Sequence, residues 1–168
     1  MKKRMNKVGV FLKLTAALGI VGFCSVTQAA IVVNMQVNAS ESKLTITTQG
    51  TCASSNSNGC IKASGRQPIN FNLTGDKTCS DGGNWELDYV ALGMSEGSVG
   101  NITSDAASDF NADQSSGEVT PNSQNAGHIG MRNNNTAAYD VWYTVHATCG
   151  DSVIDSDPRI ENDGSGRN

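Results

Sequence analysis

Two carboxylates and an amide at alternate positions, Asp109, Asn111 and Asp113, are the first residues whose spacing suggests chemistry, with Glu118 close behind. Oxygen donors at every second residue are how a calcium loop begins, because the ion takes roughly six to eight such oxygens. An EF-hand-type loop also needs Gly at its sixth position and a bidentate Glu at its twelfth. Gln114 and Thr120 stand at those two places, so a solvated loop is the favoured reading and weak calcium binding the alternative.

The histidines are His128 and His146. His146 shares one strand face with Asp140, Trp142 and Thr144. Asp140 is six residues away, about 20 Å along an extended chain, which is too far for a direct pair. His128, with Gly127 and Gly130 beside it, reads as a strand-edge residue. No G-x-S-x-G elbow, H-E-x-x-H helix or Gly-rich phosphate loop occurs, so an enzyme is not expected, and a small metal-dependent enzyme is the weakest reading.

Aromatic residues offer a binding chemistry instead. Trp85, Tyr89, Tyr139, Trp142 and Tyr143 lie on two alternating stretches, and Trp142 faces away from Tyr139 and Tyr143. Exposed Trp and Tyr rings stack on sugars and anchor protein partners. Trp142, His146 and Tyr89 are therefore the candidate binding residues, for a protein or a carbohydrate. The competing reading is that a central strand has both faces partly covered.

Cys52, Cys60, Cys79 and Cys149 form an even set downstream of Cys24. In an exported chain this reads as two disulfides with three possible pairings, of which Cys52–Cys60 with Cys79–Cys149 is favoured. A zinc site would want the close C-x-x-C spacing that is missing here.

The elements that must hold these residues are strands. Val33, Met35 and Val37 alternate with polar neighbours, as do Leu44, Ile46 and Thr48, and Ser40-Glu41-Ser42 between them suggests a hairpin. Ile69, Phe71 and Leu73 form a third stretch ending at Thr74-Gly75-Asp76. Trp85, Leu87 and Tyr89 form a fourth, with Glu86 and Asp88 on the wet side. Tyr139, Val141, Tyr143 and Val145 form the fifth and strongest, and a sixth runs from Ser152 to Ile154 or on past Pro158 to Ile160. Residues 105–127 are acidic, rich in Ser and Asn and poor in apolar side chains, which reads as a long surface loop. Short strands with turn-rich joints predict an all-β fold, an antiparallel β-sandwich of immunoglobulin-like kind.

The first thirty residues have a different character. Lys2, Lys3, Arg4, Lys7 and Lys13 precede an apolar core from Leu14 to Val26, which ends in Thr27-Gln28-Ala29-Ala30. A charged start, a short apolar core and a small-residue exit predict a signal peptide over 1–29, cleaved after Ala29 or Ala30. The core is shorter than the roughly 20 apolar residues a spanning helix takes. One domain over 30–162 and a flexible tail over 163–168 are expected to remain, in the periplasm or secreted, with no membrane attachment. Beyond the signal, sixteen acids face seven basic residues, a net charge of −9. Such a surface repels phosphate backbones, so nucleic-acid binding is excluded.

The stretch Asp155-Ser156-Asp157-Pro158-Arg159-Ile160-Glu161-Asn162 resembles the C-terminal signature of the DP-EP family. That resemblance implies a small bacterial protein with a β-sandwich-like fold and supplies no activity. Three function classes follow: an exported binding or accessory module, a surface-fibre subunit that donates its strand Ile31–Val37 to a neighbour, and the small enzyme.

Overall fold

Alternating apolar side chains govern which segments pair. The computed structural model describes residues 28–38, 43–52, 59–98, 100–119, 123–125, 127–156 and 158–166. The expected signal peptide, but for residues 28 and 29, lies outside these residues, as do the turn at 40–42 and the loop at 53–58. The strands are β1 (Ile31–Asn38), β2 (Lys43–Ile46), β3 (Ile61–Ala63), β4 (Ile69–Thr74) and β5 (Glu86–Gly93). A helix, α1 (Ser104–Phe110), precedes β6 (Glu118–Val119), β7 (Ser123–Asn125) and β8 (His128–Met131). The long β9 (Ala138–Cys149) is followed by β10 (Ser152–Ser156) and β11 (Arg159–Asp163).

These strands form two sheets. The first runs β2-β1-β4-β8-β7 and the second β3-β11-β9-β5-β6, with β10 also paired to β9. The expected opening hairpin is present, with Met35 opposite Ile46 and Val37 opposite Leu44. The wholly antiparallel arrangement is not. Both sheets are mixed, because β1 runs parallel to β4 and β3 parallel to β11. The cause is a crossover: after β2 the chain leaves the first sheet, adds β3 to the second, and returns as β4 in the direction of β1. This strand order differs from the ABED and CFG order of immunoglobulin constant domains. β1, the strand read as a possible donor to a neighbour, is hydrogen-bonded on both sides, to β2 and to β4.

One buried cluster draws on both sheets. Val33, Met35, Ile69, Phe71, Ile129 and Met131 from the first are fully buried with Leu87, Val90, Leu92, Val141, Tyr143 and Val145 from the second. The Phe71 and Tyr143 rings meet at 5.2 Å between centroids, tilted by 56°. A buried phenol needs a hydrogen-bond partner, and the Tyr143 hydroxyl donates to the Gly59 carbonyl at 2.6 Å. Gly59 has φ +79°, and a Cβ there would stand 2.5 Å from Ile46 Cδ1, so the close approach requires glycine.

Cys52 is bonded to Cys60 and Cys79 to Cys149. The second bridge ties the turn before β5 to the end of β9, 70 residues on. No helix among the described residues is long and apolar enough to cross a membrane. The two disulfides fit an extracellular or periplasmic protein.

Two further expectations need correction. Residues 105–127, read as a loop, contain α1, β6 and β7. Thr103 caps α1 by accepting from the Ala106 N–H, and Ala106, Ala107 and Phe110 bury one face. A helix of seven residues is too short to show a full period in the sequence. The chain end read as a flexible tail from Asp163 is held as far as Gly166. Asp163 ends β11, Gly166 N–H donates to the Asn135 carbonyl at 2.8 Å, and the Ser165 hydroxyl accepts from the Gly65 N–H at 2.6 Å.

Candidate functional site

The outer face of the second sheet is built from alternate residues of β9. Val141, Tyr143, Val145 and Ala147 point into the core, so Asp140, Trp142, Thr144 and His146 point outward. The neighbouring β5 does not keep strict alternation. Leu87 lies opposite Ala147 and Tyr89 opposite His146, so an extra residue is accommodated between them. Such a bulge turns the following side chains over. Tyr89 thus leaves the face of Leu87, where simple alternation placed it, and Val90 and Leu92 join Val145 and Tyr143 on the core side.

The bulge has a chemical consequence: Tyr89 stacks on His146, with ring centroids 4.2 Å apart and planes 23° from parallel. Further along the same face, Ala91 lies opposite Thr144 and Gly93 opposite Trp142. This side of the sheet therefore carries an indole at one end and a stacked ring pair at the other, with the buried residues Ala91, Gly93 and Thr144 between. Trp142 and His146 are four residues apart, about 13 Å along the strand.

The rim of this face is charged. β10 places Asp155 opposite His146, and β11 places Arg159 opposite Trp142. Arg159 is ion-paired with Glu161. β6 brings Glu118 alongside Ala91, and Asp88 is exposed at the bulge. Burial lowers the pKa of His146 and outweighs the opposing pull of Asp155, Asp88 and Glu118. The His146 Nδ1 is buried with no hydrogen-bond partner among the described residues. Burial, reinforced by Glu118, Asp88 and Asp155, raises the pKa of the Tyr89 phenol.

All three residues singled out for binding, Trp142, His146 and Tyr89, thus share one face. The acids around them were not anticipated. For Asp155 a signal existed: Gly150-Asp151 makes a two-residue hairpin loop between β9 and β10, with Gly150 at φ +56°. Cys149 then pairs with Ser152, and counting outward sets Asp155 against His146. The register continues unbroken into β11, since Tyr143 N–H donates to the Pro158 carbonyl at 2.8 Å. β10 and β11 are therefore one edge of β9, separated at a proline that has no N–H to give.

The candidate calcium residues are not arranged alike. Asp109 is 1% exposed, and its carboxylate accepts from the Tyr139 hydroxyl at 2.5 Å, the Thr136 hydroxyl at 2.6 Å and the Thr136 N–H at 2.8 Å. Asn111 ends α1 in a left-handed conformation, φ +55°. Asp113 is exposed and accepts from the Ser115 N–H and hydroxyl and the Ser116 N–H, which hold its carboxyl down to about 2. Among the described residues, neither Asp109 nor Asp113 joins two other acids, histidines or cysteines within 4.8 Å. Cysteine does meet acid at two places, Cys52–Cys60 with Glu161 and Cys79–Cys149 with Asp81, but in each the sulfurs are bonded to one another. His128 lies on the other sheet, its Nδ1 2.7 Å from Asn72 Oδ1.

No protein-family model matches this chain, and no curated protein matches it significantly.

Proposed function

We propose that the chain is an exported binding or accessory protein, a β-sandwich that holds a protein or carbohydrate partner on the outer face of its second sheet. The observation that carries this reading is the placement of Trp142 and the stacked Tyr89–His146 pair on one side of the second sheet, each partly exposed. A ligand that reaches both places would touch aromatic surface at Trp142 and at the Tyr89–His146 pair, the partly exposed parts of this face, while Ala91, Gly93 and Thr144 between them are buried. Carboxylates at the rim accept hydrogen bonds from hydroxyls or pair with cationic side chains. A carbohydrate uses both the ring faces and the acceptors, and so does a basic peptide. The segment Asp155–Asn162, with its resemblance to the DP-EP signature, lines this face through Asp155 and Arg159. Export, by cleavage after Ala29 or Ala30 into the periplasm or the medium, belongs to the same reading.

Tryptophan fluorescence tests it. Trp85 is buried at 6% exposure, whereas Trp142 is only partly buried, so quenching by an added ligand reports on Trp142. Titration with neutral oligosaccharides and with a lysine-rich peptide should give saturable quenching for one class. The Trp142→Ala variant, with an unchanged melting temperature, should lose that binding. If it binds the same ligand as tightly as the parent, the proposal fails.

A further inference from the structure

A second site lies at the end of the first sheet. Ile69 pairs with Met131, and the ladder continues beyond the strands because the Gln67 N–H donates to the Asn133 carbonyl at 3.1 Å. Ile69, Met131 and Asn133 are buried, so the alternate residues Arg66, Pro68, Arg132 and Asn134 fall on the outer side. Together they line a cleft of about 220 Å³.

This is an unusual place for two guanidinium groups. The chain beyond the signal has only seven basic residues against sixteen acids, and two of the seven line one cleft. Neither is ion-paired among the described residues; Arg66 spends only its Nε, on the Gly166 carbonyl at 3.2 Å. The other lining residues, Gln67, Pro68, Asn133 and Asn134, bring no carboxylate to balance the two positive charges, and an oxyanion seated in the cleft would do so. Guanidinium groups bind carboxylate, phosphate and sulfate through paired N–H donors.

We propose that the cleft between Arg66 and Arg132 binds an oxyanion. The export cleavage proposed above would reinforce it. Ile31 N–H donates to the Pro68 carbonyl at 2.9 Å, so a new terminal ammonium at Ala30 or Ile31 would stand at the wall of the cleft. Loss of Ala29 would also free the Gln67 amide, which now donates to the Ala29 carbonyl at 3.3 Å.

The test is an NMR titration of the purified protein with galacturonate, inorganic phosphate and sulfate, against galactose and sodium chloride at matched ionic strength. Saturable shifts of the Arg66, Gln67 and Arg132–Asn134 amides by at least one oxyanion, and by neither control, are expected. Which anion saturates at the lowest concentration identifies the carboxylate or the tetrahedral oxyanion as the ligand chemistry. Arg132→Ala, at an exposed position outside the strands, should weaken binding roughly tenfold or more. Arg132→Lys should fall between, since it keeps the charge but not the fork. Arg66→Ala is the second variant, judged at unchanged melting temperature because it also gives up the Gly166 contact. Shifts that never saturate, or that saturate equally in Arg132→Ala and Arg66→Ala, would overturn the proposal.

Discussion

The Tyr139 hydroxyl donates to the Asp109 carboxylate at 2.5 Å, joining α1 to β9. Desolvation and the Asp109 carboxylate together push the Tyr139 pKa far up, so the phenol keeps its proton and remains a donor. The same carboxylate takes both the hydroxyl and the N–H of Thr136. An acid from a segment that reads as solvated loop is thus the buried anchor of α1.

Asp109→Ala should therefore be among the most destabilising single changes. It leaves the Thr136 N–H and two hydroxyls without their acceptor, at about 3 kcal/mol or more, since each hydrogen bond to a charged group contributes about 1.5–3 kcal/mol. Asp109→Asn keeps one acceptor oxygen and should lose about half as much. Urea denaturation of both variants checks the order.

The two disulfides should differ in weight. In the chain-entropy account, a bridge spanning 70 residues removes more unfolded-state freedom than one spanning 8, about 4 against about 2.5 kcal/mol. Replacing Cys79 and Cys149 together by Ala should lower the melting temperature further than replacing Cys52 and Cys60. Equal losses would show that the shorter bridge also holds native contacts, such as the Gly59 carbonyl that receives Tyr143.

Stability should fall with acid in two stages. His146 has a folded pKa below its ordinary 6.5, so its contribution is complete above 6.5 and is lost as pH falls through the folded value. Asp76, Asp113 and Asp163 are also lowered, from 3.8, so theirs is complete above 3.8 and disappears at lower pH. Melting temperatures from pH 8 to 2 should show both declines. His146→Phe, which keeps a ring for Tyr89 to stack on, should remove the upper one alone.

Millimolar calcium should leave the melting temperature unchanged. Binding through Asp109 would have to displace three hydrogen bonds, and Asp113 already serves its own turn. Differential scanning calorimetry with calcium and with a chelator measures this, and an upward shift of several degrees with calcium would return the loop to consideration as a metal site.

The common face of Trp142 and His146 was legible because both sit at even positions of one strand whose odd positions are apolar. Strict alternation then misplaced Tyr89, because a bulge inserts one residue without any mark such as glycine or proline near Asp88. The cleft at Arg66 and Arg132 was not legible at all. Those residues are 66 positions apart in sequence, and only the pairing of β4 with β8 brings them together.

By itself the sequence determined what local chemistry controls: the strands with period-two patterns, the hairpin register set by Gly150-Asp151 and the acidic balance. The tertiary structure decided what depends on residues distant in the chain. It set β1 beside β4 and β3 beside β11, both parallel, since a parallel neighbour is chosen by the path of a crossover and leaves no mark on either strand. It also turned Asp109 inward, because whether a carboxylate faces water or three donors depends on which segments fold over it.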